Sequence, residues 1–145
     1  MRHTQLLSIV YLSTAATPFS ADDLSALLDR SRRNNVLIHL TGVLLHREGR
    51  FLQVLEGPEG LLRGRMAVIA ADPRHSDVEV LLEESIDQRR FPQWSMRHEH
   101  GSPEASSRIP GFRKILETTH DDAVSAERIA DLRTLLGWFQ ERAQV

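Results

Sequence analysis

Apolar and polar residues follow two simple periods along most of this chain, and each period predicts one type of secondary structure. Period-two alternation and β-branched residues predict strands at residues 6–13, 40–46, 51–57, 78–85 and 94–96. Helical spacing of apolar residues predicts helices at residues 20–35, 58–72, 109–117 and 125–142, the first with Ser20 as its N-cap. The polar, proline-containing segment 101–110 is predicted to be a linker.

The order of these elements is that of a ferredoxin-like α+β fold. The prediction is a mixed βαββαββ sheet with two helices on one face and an added edge strand. We expect the first and third strands to be parallel neighbours at the centre of the sheet, which would place Tyr11 beside Gln53. The C-terminal helices are predicted to pack on the opposite face, with Leu135 and Trp138 exposed.

The same periods assign side chains to the faces of the strands. On the first strand, Leu7, Ile9 and Tyr11 share one face. The fourth strand is predicted to direct Val78, Val80 and Leu82 to one face, and the last strand is predicted to direct Trp94 and Met96 to one face.

The strand Phe51-Leu-Gln-Val-Leu-Glu-Gly57 carries apolar residues on both faces, which predicts a strand covered on both sides. Gln53 is the exception, because a buried carboxamide needs partners for both its carbonyl and its amino group. Leaving them unpaired would cost on the order of 1–3 kcal/mol. Two interpretations stay open: Gln53 caps a loop or faces water at an edge, or it lies under the helices with Tyr11, the only tyrosine of the chain.

The composition is that of an ordinary globular domain, with 145 residues, 41% hydrophobic residues, 26% charged residues and a formal net charge of −2. This charge gives no indication of a nucleic-acid partner. The absence of cysteine excludes disulfides, thiolate metal sites and cysteine nucleophiles. No apolar run approaches the roughly 20 residues of a membrane span, and we see no signal-peptide core. We therefore expect a cytoplasmic protein without a membrane partner.

Signals for catalysis are weak. His98 and His100 would lie on one strand face, but two imidazoles without a third ligand nearby are more often surface residues, so no metal site is predicted. His75 follows Arg74 after a helix, where a general base could act, although a helix cap or a salt bridge is the simpler interpretation.

Asn34 and Asn35 also allow two interpretations. Asparagine tolerates left-handed geometry, so the pair could simply end a helix. Their side-chain amides could equally bind a flat ligand that offers hydrogen-bonding groups.

Six short blocks follow one another along the chain: Val10-Tyr-Leu-Ser13, Ser31-Arg-Arg-Asn-Asn35, Thr41-Gly-Val-Leu-Leu45, Phe51-Leu-Gln-Val-Leu-Glu-Gly57, Asp72-Pro-Arg-His75, and Arg90-Phe91 with Trp94-Ser-Met96. In their order and separations, they make the chain from about Gln5 to Met96 resemble the BLUF family of blue-light sensors that use FAD. Leu40 departs from the isoleucine that the family often has before Thr-Gly, and the segment after Gly101 is not covered.

The resemblance implies an oxidised flavin held noncovalently between the two helices: FAD, or else FMN or riboflavin. By position in the motifs, Tyr11 matches the photoactive tyrosine, Gln53 the switching glutamine, and Trp94 and Met96 the final-strand pair that responds to the switch. The flavin contacts implied by the resemblance are Leu27, Ser31, Asn34, Asn35, Leu44, Phe51, Gln53, Arg74 and His75.

The chemistry implied by the resemblance is light-driven electron and proton transfer from Tyr11 through Gln53, whose amide offers both a donor and an acceptor. The output is expected to be mechanical and not enzymatic, directed to a partner protein or to a second copy of the chain. We expect residues 1–100 to form the photosensory domain and residues 101–145 a C-terminal helical extension. The alternative is a ferredoxin-like small-molecule-binding protein or hydrolase that uses His75 and Arg74.

Overall fold

The computed structural model describes residues 5–15, 20–47, 49–73, 75–92, 94, 96–100 and 126–143. Within them lie the strands β1 (Leu6–Ala15), β2 (Thr41–Arg47), β3 (Arg50–Pro58), β4 (His75–Ile86) and β5 (Arg97–His100), and the helices α1 (Ala21–Leu37), α2 (Glu59–Ala71) and α3 (Ala126–Ala143). The predicted linker 101–110 and the predicted helix 109–117 lie outside the described residues. None of the described helices is long and apolar enough to cross a membrane.

The strands form a five-stranded sheet in the order β4-β1-β3-β2-β5. β1 pairs antiparallel with β3 and β4, β2 pairs antiparallel with β3, and β5 joins β2 in parallel. The mixed ferredoxin-like prediction is confirmed, and Tyr11 lies directly opposite Gln53. The expectation that β1 and β3 run parallel is wrong, because the hairpin between β2 and β3 reverses the chain before it reaches β1.

The sheet has a separate apolar core on each face. On the face that we call the helix-pair face, residues of β1 and β3 pack against Leu28 of α1 and against Leu62 and Ile69 of α2. Leu7, Ile9 and Tyr11 all lie in this core, as predicted. Since α1 and α2 both cover this face, it is the side on which the chain can enclose a ligand.

The opposite face, called here the α3 face, is covered by the C-terminal helix. Its core includes Val10, Leu12, Leu52 and Val54 from the sheet and Leu132, Leu135, Leu136 and Phe139 from α3. The predicted position of this helix is confirmed. Leu135, however, is fully buried and not exposed, because an apolar stripe at spacings of three and four is wide enough to press Leu135 as well as its neighbours onto the flat sheet.

Strand β4 contains a β-bulge next to Tyr11. Val10 pairs with Leu82 and Tyr11 pairs with Val80, so Leu81 is an extra residue on the edge strand. Leu81 and Leu82 consequently both pack on the α3 face, while Val80 is 44% exposed. The predicted common face for Val78, Val80 and Leu82 is therefore wrong, because the bulge interrupts the period of two.

Helix α1 begins as predicted but ends later. The Ser20 hydroxyl accepts a hydrogen bond from the Asp23 backbone N–H at 3.0 Å, and the Asp23 carboxylate accepts one from the Ser20 N–H at 3.1 Å, which is a capping box. The helix continues to Leu37, two residues beyond the predicted end at Asn35. Asn35 is thus a buried residue inside the last turn and not a terminal residue.

A buried carboxylate fixes the connection between β4 and β5. Glu56 accepts hydrogen bonds from the Thr41 hydroxyl at 2.9 Å and from the backbone N–H groups of Arg90 and Phe91 at 2.9 and 2.7 Å. Its charge is therefore fully buried but well satisfied. Phe91 in turn stacks on Trp94 at 5.4 Å between ring centroids, so the chain approaches β5 along a defined path.

Trp94 and Met96 lie on opposite faces of the sheet. The Trp94 ring meets Phe139 of α3 edge-on at 6.4 Å, whereas Met96 is buried in the core of the helix-pair face. The predicted common face is wrong because β5 begins only at Arg97, so both residues belong to the connection and do not follow strand alternation.

Candidate functional site

A cleft opens on the helix-pair face, between the sheet and the helices α1 and α2. It holds about 640 Å³ of free space, counted to its open mouth. The residues that line the cleft are Tyr11, Ser13, Leu27, Ser31, Asn35, Leu44, Phe51, Gln53, Leu55, Arg65, Ile69 and Asp72.

Secondary structure explains why these side chains converge. On α1, Leu27, Ser31 and Asn35 are four residues apart and so share one helix face. On β3, alternation points Phe51, Gln53 and Leu55 in the same direction. Apolar side chains and hydrogen-bonding groups therefore line one cleft, a combination that suits a flat heteroaromatic ligand with a polar edge.

A hydrogen-bonded chain runs through the wall of the cleft. The Tyr11 phenol donates to Oε1 of Gln53, and Nε2 of Gln53 donates to the sulfur of Met96 at 3.6 Å. Both groups of the Gln53 amide are thus engaged inside the protein. Of the two interpretations open for Gln53, the structure agrees with the shared site with Tyr11 and not with a loop cap or a solvated edge.

The environment of Tyr11 keeps its phenol neutral. Burial raises the pKa of Tyr11 well above its ordinary value, and the positive charge of Arg65 acts in the opposite, weaker sense. A neutral phenol retains its proton, which is the proton donated to Gln53.

Met96 is held from two sides. Its sulfur accepts from Gln53, and its backbone carbonyl accepts from Nε of Arg32 on α1 at 3.0 Å. The residue just before β5 therefore connects the Tyr11–Gln53 pair with helix α1.

The cleft includes most of the flavin contacts expected from the sequence. Leu27, Ser31, Asn35, Leu44, Phe51 and Gln53 line it. Asn34 is not among the lining residues, although it neighbours Asn35. Arg74 lies outside the described residues, and the side chain of His75, at the start of β4, is likewise not described. Trp94 lies on the other side of the sheet.

Five lining residues were not assigned to the site from the sequence: Ser13, Leu55, Arg65, Ile69 and Asp72. Ser13 could have been found, because it lies two residues beyond Tyr11 on the same strand face. Ile69 lies on the buried side of α2 with Leu62, and Arg65 precedes Ile69 by one helical turn. Asp72 belongs to one of the six blocks but was interpreted only as a helix end.

Fold and cleft together define an α+β protein with a cleft beside a phenol–amide pair. The sequence model of the BLUF family, described as sensors of blue-light using FAD, matches residues 6–97. The chain therefore belongs to the BLUF family.

Individual relatives agree with this assignment. Photoactivated adenylate cyclase subunit beta of Euglena gracilis is 37% identical over 125 residues, which are 86% of this chain and 14% of that protein. The dark-state structure of BlrB, a BLUF protein, superposes with a TM-score of 0.76 and 30% identity over 93% of this chain and 98% of BlrB. Klebsiella pneumoniae BlrP1 with FMN and cyclic diGMP gives a TM-score of 0.65 and 28% identity over 91% of this chain and 34% of BlrP1. The chain thus spans a small part of the cyclase subunit and nearly all of BlrB.

Proposed function

We propose that the chain is a blue-light receptor that holds a flavin noncovalently in the cleft and uses Tyr11, Gln53 and Met96 to convert light into a structural signal. The observation that carries the proposal is the hydrogen-bonded chain from the Tyr11 phenol through the Gln53 amide to the Met96 sulfur, in the wall of the cleft. Family membership supports light as the stimulus.

The cleft offers suitable groups for a flavin. Leu27, Leu44, Phe51 and Ile69 supply apolar contacts for the flat ring, and Ser31 and Asn35 supply hydrogen-bonding groups for its polar edge. Arg74 and His75 are proposed as further contacts from their place in the motif. We propose FAD as the flavin, following the family description. FMN and riboflavin carry the same ring, and BlrP1 is described with FMN.

When bound, the flavin supplies an electron acceptor that blue light makes strongly oxidising. The part of the protein is to present a neutral phenol whose proton already lies against Oε1 of Gln53. Gln53 is suited to take that proton and to reorient, because its amide has a donor and an acceptor side. Reorientation would remove the hydrogen bond to Met96 and so pass the change to the approach of β5.

The output is proposed to be mechanical and not enzymatic. Met96 is the first receiver, and Trp94 is proposed to act later, because its backbone oxygen accepts from the Gly42 N–H at 2.8 Å while its ring contacts Phe139 of α3. The receiver beyond the chain is a partner protein or a second copy, in the cytoplasm, with no membrane or nucleic-acid partner. We also propose that residues 1–100 form the photosensory domain and that residues 101–145 form a C-terminal extension.

Absorption spectroscopy tests this proposal. The purified chain is incubated with FAD, FMN or riboflavin, freed of excess ligand, and measured before and after blue light. We expect a yellow protein with a reversible red shift, and the released flavin identifies which form is preferred. A chain that stays colourless with all three flavins would overturn the proposal.

A further inference from the structure

Arg65 and Asp72 are the charged residues among those that line the cleft. Arg65 lies on α2, one turn before Ile69, and is half-buried. In the part of the chain that the structure describes, Arg65 forms no ion pair, whereas Arg63, two residues earlier, pairs with Glu59 and Glu83. The two arginines therefore differ in their surroundings: one is neutralised at the surface and the other faces the cleft.

The charge of Arg65 reaches the photoactive pair. Among the described charged groups, it is the one whose field acts on the buried Tyr11 phenol. Burial disfavours a negative charge on Tyr11, and a guanidinium cation nearby favours it. Because the Tyr11 phenol is buried, such an interaction is stronger than between two groups that are both exposed to water.

We propose that Arg65 is an electrostatic positioning residue of the light reaction, whose guanidinium lessens the cost of negative charge on the Tyr11 oxygen and on the bound flavin. The inference rests on the proposed function. Arg65 acts by its field and not by direct proton transfer. Any cation at this position should therefore preserve the effect, and a neutral side chain should abolish it.

The first test measures the reduction potential of the bound flavin in the full chain. Arg65→Gln removes the charge, Arg65→Lys keeps it, and Arg63→Gln removes a charge from the same helix outside the cleft. We expect Arg65→Gln to shift the potential to more negative values, so that the ratio of reduced to oxidised flavin at a fixed applied potential falls roughly tenfold. Arg65→Lys and Arg63→Gln should stay close to the parent chain.

The second test needs no flavin. Because Tyr11 is the only tyrosine, biosynthetic incorporation of a ring-fluorinated tyrosine labels this position alone and lowers the phenol pKa toward the measurable range. Titration of the phenol by absorbance or fluorine NMR then reports on Arg65 directly. We expect the fluorinated Tyr11 to ionise at higher pH with Arg65→Gln than in the parent chain, and at the same pH as the parent with Arg63→Gln.

An unchanged ionisation of the fluorinated Tyr11 in Arg65→Gln, or an unchanged flavin potential, overturns the inference. So does an Arg63→Gln variant that shifts both quantities as far as Arg65→Gln, because the effect would then be one of general surface charge. A parent chain that takes up no flavin contradicts the proposed function instead, and the flavin-free titration still decides on Arg65.

Discussion

The side-chain N–H of Gln53 donates a hydrogen bond to the sulfur of Met96 at 3.6 Å, while the carbonyl oxygen of the same amide accepts one from Tyr11. If this amide rotated by half a turn, Tyr11 could still form a hydrogen bond with it, but Met96 could not. The phenolic oxygen of Tyr11 can also accept a hydrogen bond, but a thioether sulfur has no proton to offer a carbonyl oxygen. The contact with Met96 is therefore specific to one orientation of Gln53, and a reorientation driven from Tyr11 is felt at Met96.

Met96→Leu tests this relationship. Leucine is similar in volume, so we expect the free energy of unfolding to change by less than about 1.5 kcal/mol. The substitution removes the acceptor that favours the dark orientation of Gln53, and the lit form should therefore return to the dark form more slowly. The measurement is the decay of the red-shifted absorbance after a pulse of blue light.

Met66→Leu is the matched control for that experiment. Met66 is half-buried in the same core, on α2, and the change is chemically identical. We expect its recovery to match the parent chain. If Met96→Leu recovers at the same rate as Met66→Leu, the sulfur of Met96 has no part in the switch.

Tyr11→Phe should keep the fold and flavin binding but lose the red shift. Phenylalanine retains the buried ring, yet it is a poor electron donor and has no phenolic proton to share with Gln53. Gln53→Ala should lose the shift as well, and because both residues form one network, the double variant should resemble either single variant. Light-minus-dark difference spectra decide this, and a full red shift in Tyr11→Phe would place the photochemistry elsewhere.

Much of the fold could be predicted from local sequence patterns, because the type and the faces of a helix or strand depend mainly on residues close together in the sequence. The N-cap at Ser20 and the two faces of the Phe51 strand both follow from spacings within one element. The order of elements then limited the topology, which is why Tyr11 was correctly placed beside Gln53.

The wrong predictions arise where contacts between residues far apart in the sequence determine the local structure. The bulge at Leu81 exists because β4 pairs with β1, and no local signal marks it. Trp94 and Met96 diverge because Glu56, some 35 residues earlier in the chain, fixes the backbone at Phe91. Arg65 was missed at the site because a lone arginine on a helix usually faces solvent, and only the packing of α2 over β1 turns it toward the cleft.

Asn35→Ala should weaken flavin binding. Asn35 is 2% exposed and lines the cleft, so its amide would hydrogen-bond to the ligand away from water, at a loss of about 1–3 kcal/mol when it is removed. Asn34→Ala is the control, because Asn34 neighbours it in sequence but does not line the cleft. Flavin titrations of both variants should separate them, and equal affinities would remove Asn35 from the site.

A polar cluster joins helix α3 to the sheet, and from it we predict that the free energy of unfolding falls in acid. Glu84 of β4 accepts hydrogen bonds from Arg90, in the connection to β5, and from Arg133 of α3 at 3.0 Å. Partial burial pushes the pKa of Glu84 upward, but the hydrogen bonds and charges of Arg90 and Arg133 together outweigh it and hold the pKa below its ordinary value.

A carboxylate whose pKa is lowered by folding stabilises the protein above the pKa of the unfolded chain, and this contribution is lost as the pH falls through the pKa of the folded state. Glu84→Gln should therefore cost about 1 kcal/mol at pH 7. The difference from the parent chain should begin to shrink near the ordinary pKa of a glutamate, about 4.3, and should vanish below the lower pKa of the folded Glu84. Urea unfolding at a series of pH values gives the loss of stability at pH 7 and the pH at which this loss disappears. Tryptophan fluorescence follows the unfolding, because Trp94 and Trp138 pack against the core of the α3 face.

The control is Glu83→Gln, which removes the neighbouring carboxylate. Glu83 pairs with the exposed Arg63, so its loss should cost less stability than the loss of Glu84. If the two variants lose the same stability at pH 7, the Glu84 cluster adds no more than a surface ion pair, and α3 is held on the sheet by its apolar contacts alone.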